Sequence, residues 1–500
     1  MVDPDDLPLL ETAEEKIEAG PDSVGTIRRG KLAGKSLEGA IWILATPVLV
    51  QQLLAAAVGL VDKMLAGGIP DPVGVPALDA IGIGSYIGWF IGIAMTGLGV
   101  GSQAIIARAM GSGDTREANM ASGQGIVLSL LWGALVGAAV WMAIDPLMSV
   151  IQLSETARHH CRDYVRIVAL SMPFTGLMTV GSMALHGAGE TTLPSVVAVI
   201  VNIVNVFASW LLSGVTISLG PITLGNALGV DPTEWGVIGI AAGTAISYFV
   251  GAAMTLVVLW RGVKDMKPTR AHLRPTRDMT WRVLRVGFPN FLEGIALWAV
   301  NLFVLRFIGE VAARGIDGAP KDGLVGAHMI AVQWEAFSFL PGFAIGTAAG
   351  TLAGQYLGAG NPMMARKSIN HCLAIGMILM GLFGIVFIVA GRPLTALISD
   401  APVHLESVPP LLVTCGFIQV FFAMGMVCRN GLRGVGDTVW ILGITALSSY
   451  LVRLPLAWLF GLALGWGLTG IWIGLCAELV VRGIAFWLRF RFGRWELLRV

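Results

Sequence analysis

TPVLVQQLLAAAVGLVDKMLAG, residues 46–67, is apolar, rich in small side chains and long enough to cross a bilayer, yet it carries Asp62. A carboxylate at the centre of a membrane helix costs roughly 2.5–3.5 kcal/mol on insertion scales, so such groups usually face polar cavities and work there. Gln51, Ala55, Val58 and Asp62 fall at i, i+4, i+7 and i+11 and share one helical face. That face has a polar residue at each end and small or medium side chains between. The pattern reads as a protonation or cation site inside a helical bundle. The plainer alternative is a helix-end carboxylate at the headgroup level.

Composition places this stretch in a membrane protein. The chain has 500 residues, 55% hydrophobic and 13% charged, with mean hydropathy +0.76. Soluble domains carry roughly 25% charge. Glycine supplies 65 residues, in keeping with close-packed membrane helices that use small side chains at their contacts. A net charge of +1 says nothing about partners, and no nucleic-acid partner is expected. Cys161, Cys372, Cys415, Cys428 and Cys476 lie mostly in apolar segments without CxxC spacing, so neither a disulfide framework nor a metal site is expected. The acidic, polar first residues do not read as a cleaved signal peptide.

Residues 1–36 form a polar tail, acidic first and basic where it meets the membrane. Its GKLAGKS run, Gly30–Ser36, mimics a phosphate-binding loop but has three residues between its glycines instead of four and precedes a membrane helix. Its basic residues suit anionic lipid better. Apolar segments of spanning length then recur near 38–66, 79–107, 121–143, 164–185, 195–213, 236–260, 287–309, 326–354, 369–390, 410–430, 439–461 and 467–488. The loop between the sixth and seventh holds Arg261, Lys264, Lys267, Arg270, Arg274, Arg277, Arg282 and Arg285. The loop after the fifth has neither Lys nor Arg. By the positive-inside rule both termini are expected in the cytoplasm, with the chain in a plasma (inner) membrane.

The chain repeats itself. LHGAGET at Leu185–Thr191 matches LRGVGDT at Leu432–Thr438, and ARAMGSGD at Ala107–Asp114 matches GQYLGAGN at Gly354–Asn361, both at an offset of 247. Pro47 answers Pro289, which aligns Gln51 with Glu293. Six helices are therefore duplicated in the same sense, and transporters built from such parallel repeats bind substrate between the halves. The glycine-rich matches lie in loops and read as tight turns, and Arg108, Arg433, Glu190 and Asp437 are candidates for contacts that close the inward side.

These residues together resemble the multidrug and toxic compound extrusion (MATE) transporters across nearly all of 38–490. The supporting pieces are Pro47 with Val61–Asp62, the glycine-rich loops, the L-R/H-G-x-G-D/E-T repeats, the fifth span VNIVNVFASW, and the GxxGxAxxTxIS pattern at Gly236–Ser247. The resemblance implies an all-α polytopic membrane protein, with twelve transmembrane helices in two pseudo-symmetric six-helix lobes forming a V. The divisions are a tail at 1–36, an N-lobe at 37–262, a basic linker at 263–286, a C-lobe at 287–490 and a short C-terminus at 491–500.

The resemblance also implies an ion site in the N-lobe at Asp62, Asn202, Asn205, Ser209 and Thr244. Ser209 stands where the family often has a second acid, and Lys63 where it tends to have a small polar residue; Lys63 is expected to snorkel or pair with another helix. The site would take a proton, or one Na⁺ on Asp62 and neutral oxygens; no other cofactor is expected. Interhelical hydrogen bonding is the alternative role for Asn202 and Asn205. Glu293, Glu335 and Asp437 are C-lobe cavity candidates, Asp437 with a helix cap as its alternative. Gln51, Trp298 and Trp334 are substrate-cavity candidates, with Phe337, Phe339, Met424 and Met426 as further contact surface. Glu478 and Arg482, at i and i+4, read as an ion pair.

The expected function is export of amphipathic, often cationic, organic compounds in exchange for H⁺ or Na⁺, by a monomer embedded in lipid. The alternative within the wider superfamily is a flippase for a lipid-linked substrate, for which Arg306 and Arg453 are the mid-segment cations. A membrane-embedded enzyme would need a ligand cluster, and His159, His160 and Cys161 lack a partner at ligand spacing.

Overall fold

Ser36 starts the first helix: its Oγ accepts the N–H of Gly39 at 3.2 Å. The computed structural model describes residues 35–70, 73–150, 155–219, 222–226, 228–314, 323–399 and 401–498. Most of the tail, including the bulk of the GKLAGKS run, lies outside the described residues, as do the side chains of Ala55, Val58 and Lys63.

Helix α1 is Leu37–Gly67, α2 Gly74–Ser112, α3 Thr115–Val150, α4 Glu155–Gly187, α5 Thr192–Ser213 and α6 Pro232–Arg261. The second half supplies α7 Arg277–Arg314, α8 Leu324–Gly358, α9 Pro362–Ala396, α10 Pro402–Gly434, α11 Thr438–Ala463 and α12 Gly467–Phe492. Among the described residues, 12 helices are long and apolar enough to cross a membrane. That is the number expected. Several run beyond the expected spans, because helix formation continues past the apolar core into the polar loops.

The repeat is written into the turns. Gly113 and Gly360, and Gly189 and Gly436, have φ of +80°, +76°, +75° and +89°. Only glycine adopts that left-handed backbone without steric cost, so the repeated loops need glycine at those positions. Glu190 caps α5 by accepting the N–H groups of Thr192 (2.9 Å) and Leu193 (3.2 Å).

The halves interlock. The start of α1 (Ile41, Leu44, Val48) packs in one core with Ile345 and Leu352 of α8 and Val427 of α10. The start of α7 (Met279, Val283) packs in another with Ile105 of α2 and Val180 of α4. Each lobe thus borrows the first turns of the other's leading helix. At the end of the molecule that carries the termini, α2 and α8 cross closely. A Cβ on Gly111 would lie 1.9 Å from the Gln355 carbonyl oxygen, and one on Gly358 would lie 2.0 Å from that of Arg108. The two contacts are the same contact in each repeat. Small residues let membrane helices approach this closely.

Two connections carry structure of their own. The loop after α5 contains an antiparallel hairpin, Ile217–Leu219 with Ile222–Leu224. Within the basic stretch 263–286, α7 begins at Arg277, so its first turns are helical and amphipathic. The remainder is tied to α3, where Gln124 Nε2 donates to the carbonyls of His272 (3.1 Å) and Arg274 (2.6 Å).

Candidate functional site

Asp62 sits on α1 among α4 and α6, 7% exposed. Thr244, Tyr164 and Tyr248 lie near its carboxylate. Thr244 Oγ1 accepts from Asn205 Nδ2 at 3.0 Å and donates to the Ile240 carbonyl at 3.1 Å. Ser209 is fully buried and donates to the same carbonyl at 3.3 Å. Gly243 makes the approach of α5 to α6 possible, since a Cβ there would lie 2.3 Å from Ser209 Oγ. Asp62, Asn205, Ser209 and Thr244 therefore share one region of the N-lobe. Oδ1 of Asp62 and Oδ1 of Asn205 have no hydrogen-bond partner among the described residues. A buried oxygen without a donor is costly, and two in one site are what a proton or an oxygen-seeking cation satisfies. Asn205 also makes the interhelical bond that was its alternative role.

Asn202 turns instead to a cavity of about 370 Å³ between the halves. Gln51, Gln103, Asn205 and Tyr248 line it from the first half; Phe343, Thr347, Asn430 and Arg433 line it from the second. Its walls are apolar and neutral-polar, with the Arg433 guanidinium as the charged group among its lining residues.

The C-lobe acids lie differently from the expectation. Glu293 is fully buried and saturated: Arg429 Nη1 donates to Oε1 at 3.2 Å, Arg433 Nη2 donates to Oε2, and Thr445 donates to Oε1 at 3.1 Å. A carboxylate held by two guanidiniums has no net charge left to attract a cation. Arg433 is thereby a partner within its own lobe, not a loop clasp. Asp437 does not share the cavity of Glu335. It lies before α11 at the termini end, makes no side-chain cap bond, and accepts from Arg489 Nε at 2.7 Å; Arg489 in turn lies over Trp440. Glu335 lines a second cavity of about 320 Å³ inside the C-lobe.

Glu478 and Arg482 are paired at 3.3 Å, as expected, but Arg453 is the closer partner, donating from Nη2 at 2.7 Å and Nε at 3.1 Å. Arg306 is exposed and lines neither cavity. Trp298 packs on Phe90 of α2, ring centroids 5.7 Å apart. Trp334 donates to the Leu394 carbonyl at 3.1 Å and packs on Phe337, so it braces the C-lobe rather than lining the central cavity. Arg108 donates to the Leu498 carbonyl, linking α2 to the C-terminal segment. Sequence reasoning missed Arg429, Tyr164 and Tyr248. The signal for Arg429 was its position inside an apolar segment, four residues before Arg433; the tyrosines carry none without the fold.

The MatE family model matches residues 47–211 and 290–459, one match on each half of the duplication. The probable multidrug resistance protein NorM of Thermotoga maritima is 25% identical over 456 residues, covering 91% of this chain and 92% of that protein. The multidrug resistance protein PmpM of Pseudomonas aeruginosa is 25% identical over 457 residues, covering 90% of each. The outward-facing structure of a multidrug resistance MATE transporter superposes with a TM-score of 0.81 at 21% identity, covering 94% of this chain and 97% of that one. The chain belongs to the MATE family and is a multi-pass membrane transporter, not an enzyme.

Proposed function

We propose that the chain is an antiporter that exports amphipathic organic compounds in exchange for H⁺ or Na⁺, the driving ion binding at Asp62. The observation that carries this is the buried Asp62 carboxylate with an unpartnered oxygen, beside Asn205 and Thr244. Its full-length similarity to multidrug resistance proteins supports the choice of organic cargo. Proton or Na⁺ binding removes the cost of burying an unpaired carboxylate. It therefore favours the conformation in which the N-lobe closes around the site. A ligand shifts such an equilibrium only by its differential affinity for the two states, and here that difference is the desolvation of one charge. Asp62 binds the ion, Asn205 and Thr244 offer neutral oxygens, and Ser209 packs α5 against α6 beneath them. Substrate occupies the central cavity, with Gln51 and Asn202 as polar contacts.

The termini lie in the cytoplasm of the plasma membrane in this reading, and the basic stretch at 261–285 is on that side. One chain suffices, since both halves of the central cavity come from the same polypeptide. Efflux of a fluorescent cationic dye from pump-deficient cells tests the reading. Wild type is expected to lower accumulation and Asp62→Asn, expressed at the same level, to leave it high. Equal efflux by the two proteins would remove Asp62 from the mechanism, and no efflux of any amphipathic dye by well-expressed wild type would leave lipid-linked substrates to be tested.

A further inference from the structure

We propose that the C-lobe cavity is a binding site for the anionic head of an amphipathic molecule, held by Arg429, Arg453 and Arg482. The site rests on the transporter reading and names a substrate class for it.

Three arginines line this cavity of about 320 Å³, and Glu335 is its acidic lining residue. The buried charges behind it do not balance. Glu293 is shared by Arg429 and Arg433, and Glu478 by Arg453 and Arg482. With Glu335 included, four arginines face three glutamates. One positive charge is therefore uncompensated in the interior of a membrane helix bundle. Removing such a charge from water costs several kcal/mol unless a counter-charge joins it.

Three of the four guanidiniums line this cavity, and the fourth, Arg433, lines the central one. Arg453 and Arg482 are 8% and 9% exposed. Nη1 of Arg482 and Nε of Arg429 are buried without a hydrogen-bond partner among the described residues. Arg453 is aimed by a break in α11, where Ser449–Arg453 is a π-helical turn two residues before Pro455. Proline has no N–H to continue the ladder, and π turns recur at functional sites. Planar guanidiniums converging from α10, α11 and α12 match a carboxylate, sulfonate or phosphate, which accept paired N–H donors. The remaining wall is apolar: Leu297, Phe339, Phe422, Met426 and Phe486 would enclose a hydrocarbon or aromatic body. The volume lies at the lower end of small-molecule sites.

The test is equilibrium binding to purified full-length protein in phosphatidylcholine nanodiscs. The probes are dansyl-aminoundecanoate and its trimethylammonium counterpart, read by fluorescence anisotropy. Wild type is expected to bind the carboxylate at least about tenfold more tightly than the ammonium. Arg429→Gln and Arg482→Gln each leave their glutamate paired with a second arginine, and together they are expected to abolish that preference. Glu335→Gln, which breaks none of the four ion pairs, is expected to tighten carboxylate binding and weaken ammonium binding. Equal affinity of wild type for both probes, or an unchanged preference in the arginine and Glu335 variants, would overturn the proposal. If the arginine variants do not elute as monodisperse protein, Glu335→Gln decides alone, because it predicts a change of opposite sign.

Adding phosphatidylglycerol to the nanodiscs separates two sources of the anion. Displacement of the carboxylate probe identifies a lipid headgroup as occupant, and undiminished binding identifies a soluble amphiphile; either outcome supports the site. Asp62→Asn is expected to keep carboxylate binding while losing transport. Loss of the anion preference with Asp62-dependent efflux intact would remove the substrate class and leave the antiporter reading standing.

Discussion

Arg429 and Arg433, one helical turn apart on α10, face different cavities yet share the single carboxylate of Glu293. Arg433 lines the central cavity and Arg429 the C-lobe cavity. Glu293 is thus a strut between the two, and its neighbour Thr445 ties it to α11. In the first half, Gln51 stands at the aligned position and lines the central cavity as a neutral residue. The duplicated fold has become electrostatically asymmetric: one carboxylate and neutral oxygens in the N-lobe, paired charges in the C-lobe.

Removing the strut leaves two guanidiniums buried together. Breaking a buried ion pair by deleting one partner costs about 3–5 kcal/mol. Glu293→Gln is expected to lower the thermal unfolding midpoint in detergent by several degrees. Replacing Glu293, Arg429 and Arg433 together with Met is expected to restore most of the loss. A Glu293→Gln midpoint equal to wild type would show that the pairing contributes little.

At the termini end α2 and α8 cross too closely for any side chain but hydrogen at Gly111 and Gly358. A methyl on Gly358 has no room beside the Arg108 backbone. Gly358→Ala is expected to separate the helices there and to shift the population toward an opening on that side. Spin labels on Ser112 and Ala359 would read a longer distance in the variant. An unchanged distance distribution would mean that the crossing yields locally without moving the lobes.

Thr244 lies beside Asp62, and its hydroxyl accepts from Asn205 and donates to the Ile240 carbonyl. Thr244→Val keeps the shape and removes the oxygen. It is expected to weaken the apparent affinity for the driving ion by about tenfold, in line with the roughly 1–3 kcal/mol cost of leaving a buried polar group unsatisfied. Ion titration of transport in proteoliposomes measures this; an unchanged half-saturating concentration would take Thr244 out of the site.

Asp437 pairs with Arg489 and lines neither the central cavity nor the C-lobe cavity. Asp437→Asn is expected to leave ion dependence unchanged and to reduce thermal stability modestly. A shift in ion dependence of the size expected for Thr244→Val would return Asp437 to the transport machinery.

The twelve helices were legible because membrane helices must be long and apolar, and the duplication because its turns demand glycine at fixed positions. In the N-lobe, Asp62 stands out in the sequence as a costly carboxylate in an apolar segment, whereas Asn205 and Thr244 are singled out there only by the resemblance to the family; the fold brings the three together. The C-lobe was not legible, because spacing shows charge and not partnership. Glu293 and Glu335 read alike in the sequence, yet one is saturated by arginines from α10 and the other faces a cavity. Arg429 and Arg482 become a site only when α10 and α12 are brought together. The strands 217–219 and 222–224 have a signal in the sequence, alternating residues around a Gly220-Pro221 dipeptide.

The most direct measurement is transport by purified protein in proteoliposomes under an imposed pH gradient or an imposed Na⁺ gradient, wild type against Asp62→Asn. If Asp62 binds the driving ion, one gradient drives substrate movement by wild type, dissipating it stops movement, and Asp62→Asn moves substrate under neither. Gradient-driven transport by Asp62→Asn at the wild-type rate would contradict that role.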